Sequence, residues 1–135
     1  MTELHIRSGE KRELVDITDR LRRLVVESGV QRGICHLFVP HTTAGLTLNE
    51  NWDPTVGRDI LSALERIVPP GPYQHREGNS PAHIMASLTG SEATLFIEDG
   101  RLVLGTWQGV FLAEFDGPRS RRLLICVRDG EWVSE

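Results

Sequence analysis

The sequence is poor in several features that define common protein classes. Lysine occurs once, at Lys11, so nearly all positive charge is guanidinium. Cysteine occurs twice, at Cys35 and Cys126, with no CxxC pair. That excludes a disulfide scaffold and a cysteine-rich zinc site. Both cysteines lie inside apolar runs, GICHLFV and LLICVRD, so two buried free thiols are expected. No apolar run is long enough to cross a bilayer, and the opening MTELHIRSGEKR lacks the apolar stretch of a secretion signal. The expected compartment is therefore the cytoplasm. An excess of positive charge is missing as well. Fifteen Lys and Arg stand against 19 Asp and Glu, for a formal net charge of −4. Neither nucleic acid nor an anionic membrane is expected as the main partner, because both call for a clustered basic surface. Phosphate-binding P-loops, GxGxxG turns and nucleophile elbows are absent too.

The chain that remains has ordinary globular proportions. Its 135 residues suit one domain, 1–135, and 39% hydrophobic with 25% charged residues is typical of a folded one. ELHIRS and the stretch from Leu14 to Ile17 alternate in polarity and predict two short strands. Thr18 is placed to cap a helix carrying Leu21, Leu24 and Val25, which Gly29 ends. GICHLFVP is apolar on both faces, so a central strand covered on both sides is expected. Asp53 and Pro54 mark a helix start, and Val56, Ile60, Leu61, Leu64 and Ile67 follow at helical spacing as one buried stripe. After the loop PPGPYQHREGNS, Ser80 and Pro81 open a short helix through about Ser87, closed by Gly90. The period then becomes two. ATLFIE, RLVLG, TWQGVFLAEF and RRLLICVR read as four strands, with a hairpin turn at Asp99–Gly100. The pattern defines an α+β fold: a single domain with a compact, largely antiparallel sheet and two to three helices.

Four polar clusters could carry chemistry. In VPHTTAGLTLNENWDP, His41 ends a core strand, and Asn49, Glu50 and Asp53 stand at the entrance of the long helix. A helix N-terminus favours anions, although Asp53 is equally explained as a cap and His41 as a structural histidine. In HREGNSPAH, His75, Asn79 and His83 surround a loop-to-helix junction. Histidines eight residues apart match no compact metal motif, yet imidazole is a common divalent-metal ligand. In GTWQGVFLAEFDG, alternation puts Gln108, Val110, Leu112 and Glu114 on one mixed face. Trp107, Gly109, Phe111, Ala113 and Phe115 take the core face. Burying Glu114 is costly unless it is paired. In DGPRSRR, Arg119, Arg121 and Arg122 surround one turn. They suit a phosphate, or else form a solvated hairpin tip.

In this order and at about this spacing, HTTAGLTLNENWDP, HREGNSPAH and GTWQGVFLAEFDGPRSRR resemble the YjbQ-like, or UPF0047, family. The resemblance runs from about Ile6 to Val127. Trp52 departs from it, standing where small residues are common. The resemblance implies an α+β fold, a homotrimer with sites near subunit interfaces, and a thiamine-phosphate synthase-like transfer as a side activity. It also implies roles. His41, Asn49, Glu50, Asn79, Gln108 and Glu114 would be catalytic, Arg119 and Arg121 would bind phosphate, and His41, His75 and His83 would hold a divalent metal. Matching positions also include Thr42, Thr43, Asp53, Trp107 and Asp116. Mg²⁺ would suit the carboxylates and Zn²⁺ the histidines. The expected partner is a phosphorylated small-molecule substrate. Two other functions fit the same groups: a non-catalytic metal or small-ligand binding module, and a metal-dependent phosphoesterase.

Overall fold

The computed structural model describes residues 1–131, so the last four residues of the expected domain lie outside it. In chain order the elements are β1 (Thr2–Arg7), β2 (Glu13–Asp16), α1 (Thr18–Ser28), β3 (Arg32–Phe38), β4 (Ala44–Glu50) and α2 (Pro54–Ile67). Then follow α3 (Ser80–Thr89), β5 (Glu92–Glu98), β6 (Arg101–Leu102), β7 (Gln108–Glu114) and β8 (Ser120–Asp129). Every strand pair is antiparallel. The strands form two sheets, a larger one in the order β1-β8-β3-β5-β6 and a smaller one in the order β2-β7-β4.

Alternation along the strands builds the layers. Ile6, Leu37, Ile97, Leu123 and Ile125 from the larger sheet meet Leu46, Val110 and Leu112 from the smaller one, with Leu21 and Val25 of α1 completing this core. On the other face of the smaller sheet, Ala113 and Phe115 pack against Val68 after α2 and against Ala82, Met85 and Ala86 of α3. Strand β7 is thus buried on both faces, with Val110, Leu112 and Glu114 all 0% exposed. The face that looked mixed in the sequence is the one turned to the main core. This arrangement is the expected single α+β domain, drawn as two sheets rather than one.

Several local expectations change in the structure. The segment after His41, to which the sequence reading assigns no element, is mostly β4. There Gly45 lets the strand approach the end of α3, since a Cβ would meet Thr89 and the Gly90 carbonyl. Helix α1 is capped at Ile17 without a side-chain bond. The Thr18 hydroxyl instead donates to Asp16 Oδ1 (2.6 Å) and accepts the Val110 N–H (2.9 Å), tying the helix to β7. Asn79, not Ser80, is the N-cap of α3, which runs to Thr89 before Gly90 closes it. β3 is central but covered on one face only. Gly33, Cys35 and Leu37 are buried, while Phe38 is 40% exposed. No residue of α2 is fully buried, and Ile67 is 66% exposed. Of RLVLG only Arg101 and Leu102 pair as a strand. Other readings hold. Asp53 accepts the Thr55 N–H (2.9 Å) with Pro54 behind it, and Gly29 ends α1 in the left-handed region at φ 73°. Asp99 and Gly100 both take positive φ (52° and 75°), as a tight hairpin turn of primed type needs. Both cysteines are free, with Cys35 buried and Cys126 only half-buried. Burial, helped by neighbouring Cys126, pushes the Cys35 thiol up to about 11.

Candidate functional site

The candidate residues are organised by the β4–β7 ladder. Ala44 pairs with Glu114 at one end, and Glu50 pairs with Gln108 at the other. Six residue steps at roughly 3.3 Å each separate these ends by about 20 Å. His41 and Thr43 therefore stand at one pole of the small sheet, and Asn49 and Glu50 at the other. Within one chain they do not share a pocket, which corrects the expectation that the polar row converges. An extended strand carries the row across the sheet.

At the first pole lies a buried ion pair. Glu114 (0% exposed) accepts from Arg121 Nε at 2.9 Å and from Arg121 Nη2 on its second oxygen. It also accepts the Ser8 hydroxyl at 2.6 Å and the Asp116 N–H at 3.0 Å. Arg121 Nη2 donates in addition to the Thr43 hydroxyl (2.8 Å) and carbonyl (3.2 Å). Burial alone would raise the Glu114 carboxyl. The bonds from Arg121, Ser8 and the Asp116 amide outweigh it and hold the group below the ordinary range. Arg121 was expected to bind phosphate, but its guanidinium is spent on Glu114 and Thr43. His41 borders this pair. Its Nε2 accepts the Arg122 N–H at 3.0 Å, so the neutral ring carries its proton on Nδ1. Burial, and then the charges of Arg121 and Arg122, hold its pKa below the usual histidine value. Arg122 itself pairs with Glu3 at 3.1 Å.

The turn that follows β7 leads to the start of α3. Arg119 donates through Nε to the Asp116 carbonyl (2.7 Å) and through Nη2 to its carboxylate (3.0 Å). Asn79 Nδ2 reaches the same carboxylate oxygen at 3.1 Å. Burial acts to raise Asp116, and these two donors lower it further than burial raises it. Beside this chain of bonds the rings of His75 and His83 stand edge to face, with centroids 5.6 Å apart. Glu77 lies 4.0 Å from His75 Nε2. On the Asn79–Asp116 side a cavity of about 420 Å³ is lined by Asn79, Asp116, Phe115, Arg12 and Glu65 among others, with neither histidine on its wall. Two buried polar atoms in these residues, Arg12 Nε and Asn79 Oδ1, have no hydrogen-bond partner.

Two bonds to one metal at about 2.0–2.1 Å leave imidazole centres roughly 5 Å apart, so the His75–His83 spacing fits a pair of shared ligands. His41 does not join them. Among the described residues no group of three or more His, Cys, Asp or Glu is arranged to hold a metal within one chain.

At the second pole Asn49, Glu50, Trp107 and Gln108 line a shallow depression of about 400 Å³. Glu50 also borders a cavity of about 430 Å³ beneath α2, where Asp53 combines its capping bond with a place on the wall. Sequence reasoning missed Ser8, Arg12 and Asp16. Ser8 merely ends an alternating strand, and only tertiary pairing reveals it as a partner of Glu114. Asp16 binds Thr18 and the Asn51 amide (3.2 Å) across 35 residues, which no local signal announces.

A two-sheet α+β domain with ionisable residues gathered at both ends of its small sheet defines the class. The chain belongs to the UPF0047 YjbQ-like family, whose sequence pattern matches residues 2–129. A UPF0047 protein of Methanocaldococcus jannaschii is 50% identical over 123 residues, covering 90% of this chain and 89% of that one. YugU of Bacillus subtilis, also a UPF0047 protein, is 41% identical over 124 residues, covering 90% and 94%. The crystal structure of an uncharacterised YjbQ/UPF0047 protein from Clostridium acetobutylicum superposes with a TM-score of 0.92 at 48% identity, covering 95% of this chain and 100% of that one. A similar protein of unknown function from Sulfolobus solfataricus superposes at 0.91 with 34% identity, covering 96% of each. Among the described residues no helix is long and apolar enough to cross a membrane.

Proposed function

We propose that this protein is a metal-assisted enzyme acting on a phosphorylated small molecule at the start of α3. The supporting observation is the His75–His83 pair beside the Asn79–Asp116–Arg119 chain of bonds. His75 and His83 would hold a divalent ion, with the Glu77 carboxylate 4.0 Å from His75 Nε2. When bound, that ion supplies charge neutralisation at a phosphoryl oxygen. Arg119, fixed by two bonds to Asp116 and half-exposed, orients a phosphate arriving from solvent. The first turn of α3 carries no acidic residue of its own, and the Asp116 carboxylate stands at its Asn79 cap. Asp116 stays ionised and keeps Asn79 and Arg119 in place. Glu114 and Arg121 act as positioning residues beneath the turn.

The reaction is a transfer or a hydrolysis of the phosphorylated group. The thiamine-phosphate synthase-like transfer implied by the family resemblance is the first specific reaction to assay. A phosphatase substrate panel separates it from a metal-dependent phosphoesterase. Elemental analysis of protein purified without added metal is expected to find a divalent ion at about one per chain, lost in His83→Ala. Unchanged metal content in that variant would sink the metal site. Metal retained with no turnover on any phosphorylated substrate would leave a non-catalytic binding module.

A further inference from the structure

The second pole of the small sheet carries a feature unused by the proposed reaction. Trp52 and Trp107 are 77% and 57% exposed, yet their rings stand edge to face with centroids 6.1 Å apart. Two large indoles left in solvent forfeit the gain from burial, so the pair is a prepared contact surface. It adjoins the depression lined by Asn49, Glu50, Thr106 and Gln108. The amides there are oriented by the backbone. Asn49 Oδ1 accepts the Glu50 N–H (2.8 Å), and Gln108 Oε1 accepts the Gly105 N–H (3.0 Å). Each amide oxygen accepts one backbone N–H, which fixes the amide and leaves its NH₂ group as a donor. Glu50 adds an acceptor.

We propose that this pole binds a neutral saccharide chain, stacked on the tryptophans and hydrogen-bonded by the depression. Three observations select that class. The depression contains no Lys or Arg and does contain a carboxylate, which opposes a nucleic-acid backbone. It is shallow and open, so a single small ring would stay largely in water. An extended ligand gains contacts along the surface instead. A sugar hydroxyl donates and accepts at once, matching two amide donors flanked by a carboxylate. The apolar face of a sugar ring supplies the stacking partner for indole. This site lies about 20 Å along the ladder from the Glu114 pole, so it stands or falls independently of the proposed reaction.

The test is a tryptophan-fluorescence titration of the full chain in a Trp132→Phe background, leaving Trp52 and Trp107 as the only tryptophans. Probes are maltotriose, cellotriose and chitotriose, with uridine and adenosine as comparators. The expected result is a saturable change with at least one trisaccharide. The same titration by calorimetry should weaken roughly tenfold or more in Trp52→Ala, the loss that about 1.4 kcal/mol of contact produces. Trp52 lies outside the core, so this variant keeps the fold. A second variant, Gln108→Glu, keeps an oxygen to accept the Gly105 N–H and removes the NH₂ donor, so it should weaken binding while leaving the tryptophan pair in place. Saturation by nucleosides alone, or no saturation by any trisaccharide, overturns the proposal. So does a drop in oligomeric state of Trp52→Ala without ligand, because the pair would then be covered by a second copy.

Discussion

Glu114 shows how much one residue's meaning depends on its partner. A carboxylate at 0% exposure is tolerable only because Arg121, Ser8 and an amide N–H surround it. Removing one partner leaves the other charge buried alone, so Glu114→Ala and Arg121→Ala should each destabilise by about 3–5 kcal/mol. Replacing both with apolar residues of similar size should cost much less. Urea melts of the single and double variants check this, and additive losses would count against a coupled pair. The same neighbourhood sets the pH response. His41 is held below its unfolded value near 6.5, so the unfolded chain takes up its proton first as pH falls. Stability should begin to drop near pH 6.5 and level off below the folded value. Glu114 and Asp116 are held below the ordinary carboxylate range, so their contribution is present above about pH 4 and is lost as pH falls through their folded values. Unfolding midpoints from pH 7.5 to 3 should therefore fall in two steps. His41→Gln, whose amide oxygen can still accept the Arg122 N–H, should remove the upper step and keep the lower.

At the scale of elements, what was legible followed from covalent and local rules. Asp53–Pro54, Gly29 and Asp99–Gly100 each need only their own backbone and the next few residues, and all three behave as read. Thr18 and Ser80 misled because their best partners are distant or absent. Thr18 bonds the Val110 N–H across 92 residues, a choice no cap rule contains. Strand β4 was hidden by its polar residues. Alternation in TAGLTLNE is real, but the clustering of His, Asn, Glu and Asp drew the reading toward a site. Helix α2 depends most on local terms, since none of its residues is fully buried. Asp53→Ala should therefore cost about 1 kcal/mol, and the loss should appear as faster amide exchange confined to α2. Uniform loss across the sheets would mean that α2 is held by packing instead.

At the scale of the molecule, the sequence named most of the site's residues but not their distribution. His75 and His83 meet, as do Asn79, Asp116 and Arg119, while Asn49, Glu50 and Gln108 gather about 20 Å from His41 and Glu114. Strand length decides this, and β4 was the strand the sequence reading left out. One outer surface also stands apart from any core. Phe38 and Phe96, 40% and 55% exposed, project with Ile34 from the uncovered face of the larger sheet. Half-covered sheets normally present polar residues to water, so aromatic ones point to association. The homotrimer that the family resemblance implies would cover this face. Light scattering after gel filtration should find the mass of three chains. Phe38→Glu places a charge in that surface without touching the main core, so it should yield a smaller species with an unchanged circular dichroism spectrum. A wild-type monomer would refute the assembly. A Phe38→Glu variant that remains trimeric would keep the assembly and move its interface elsewhere.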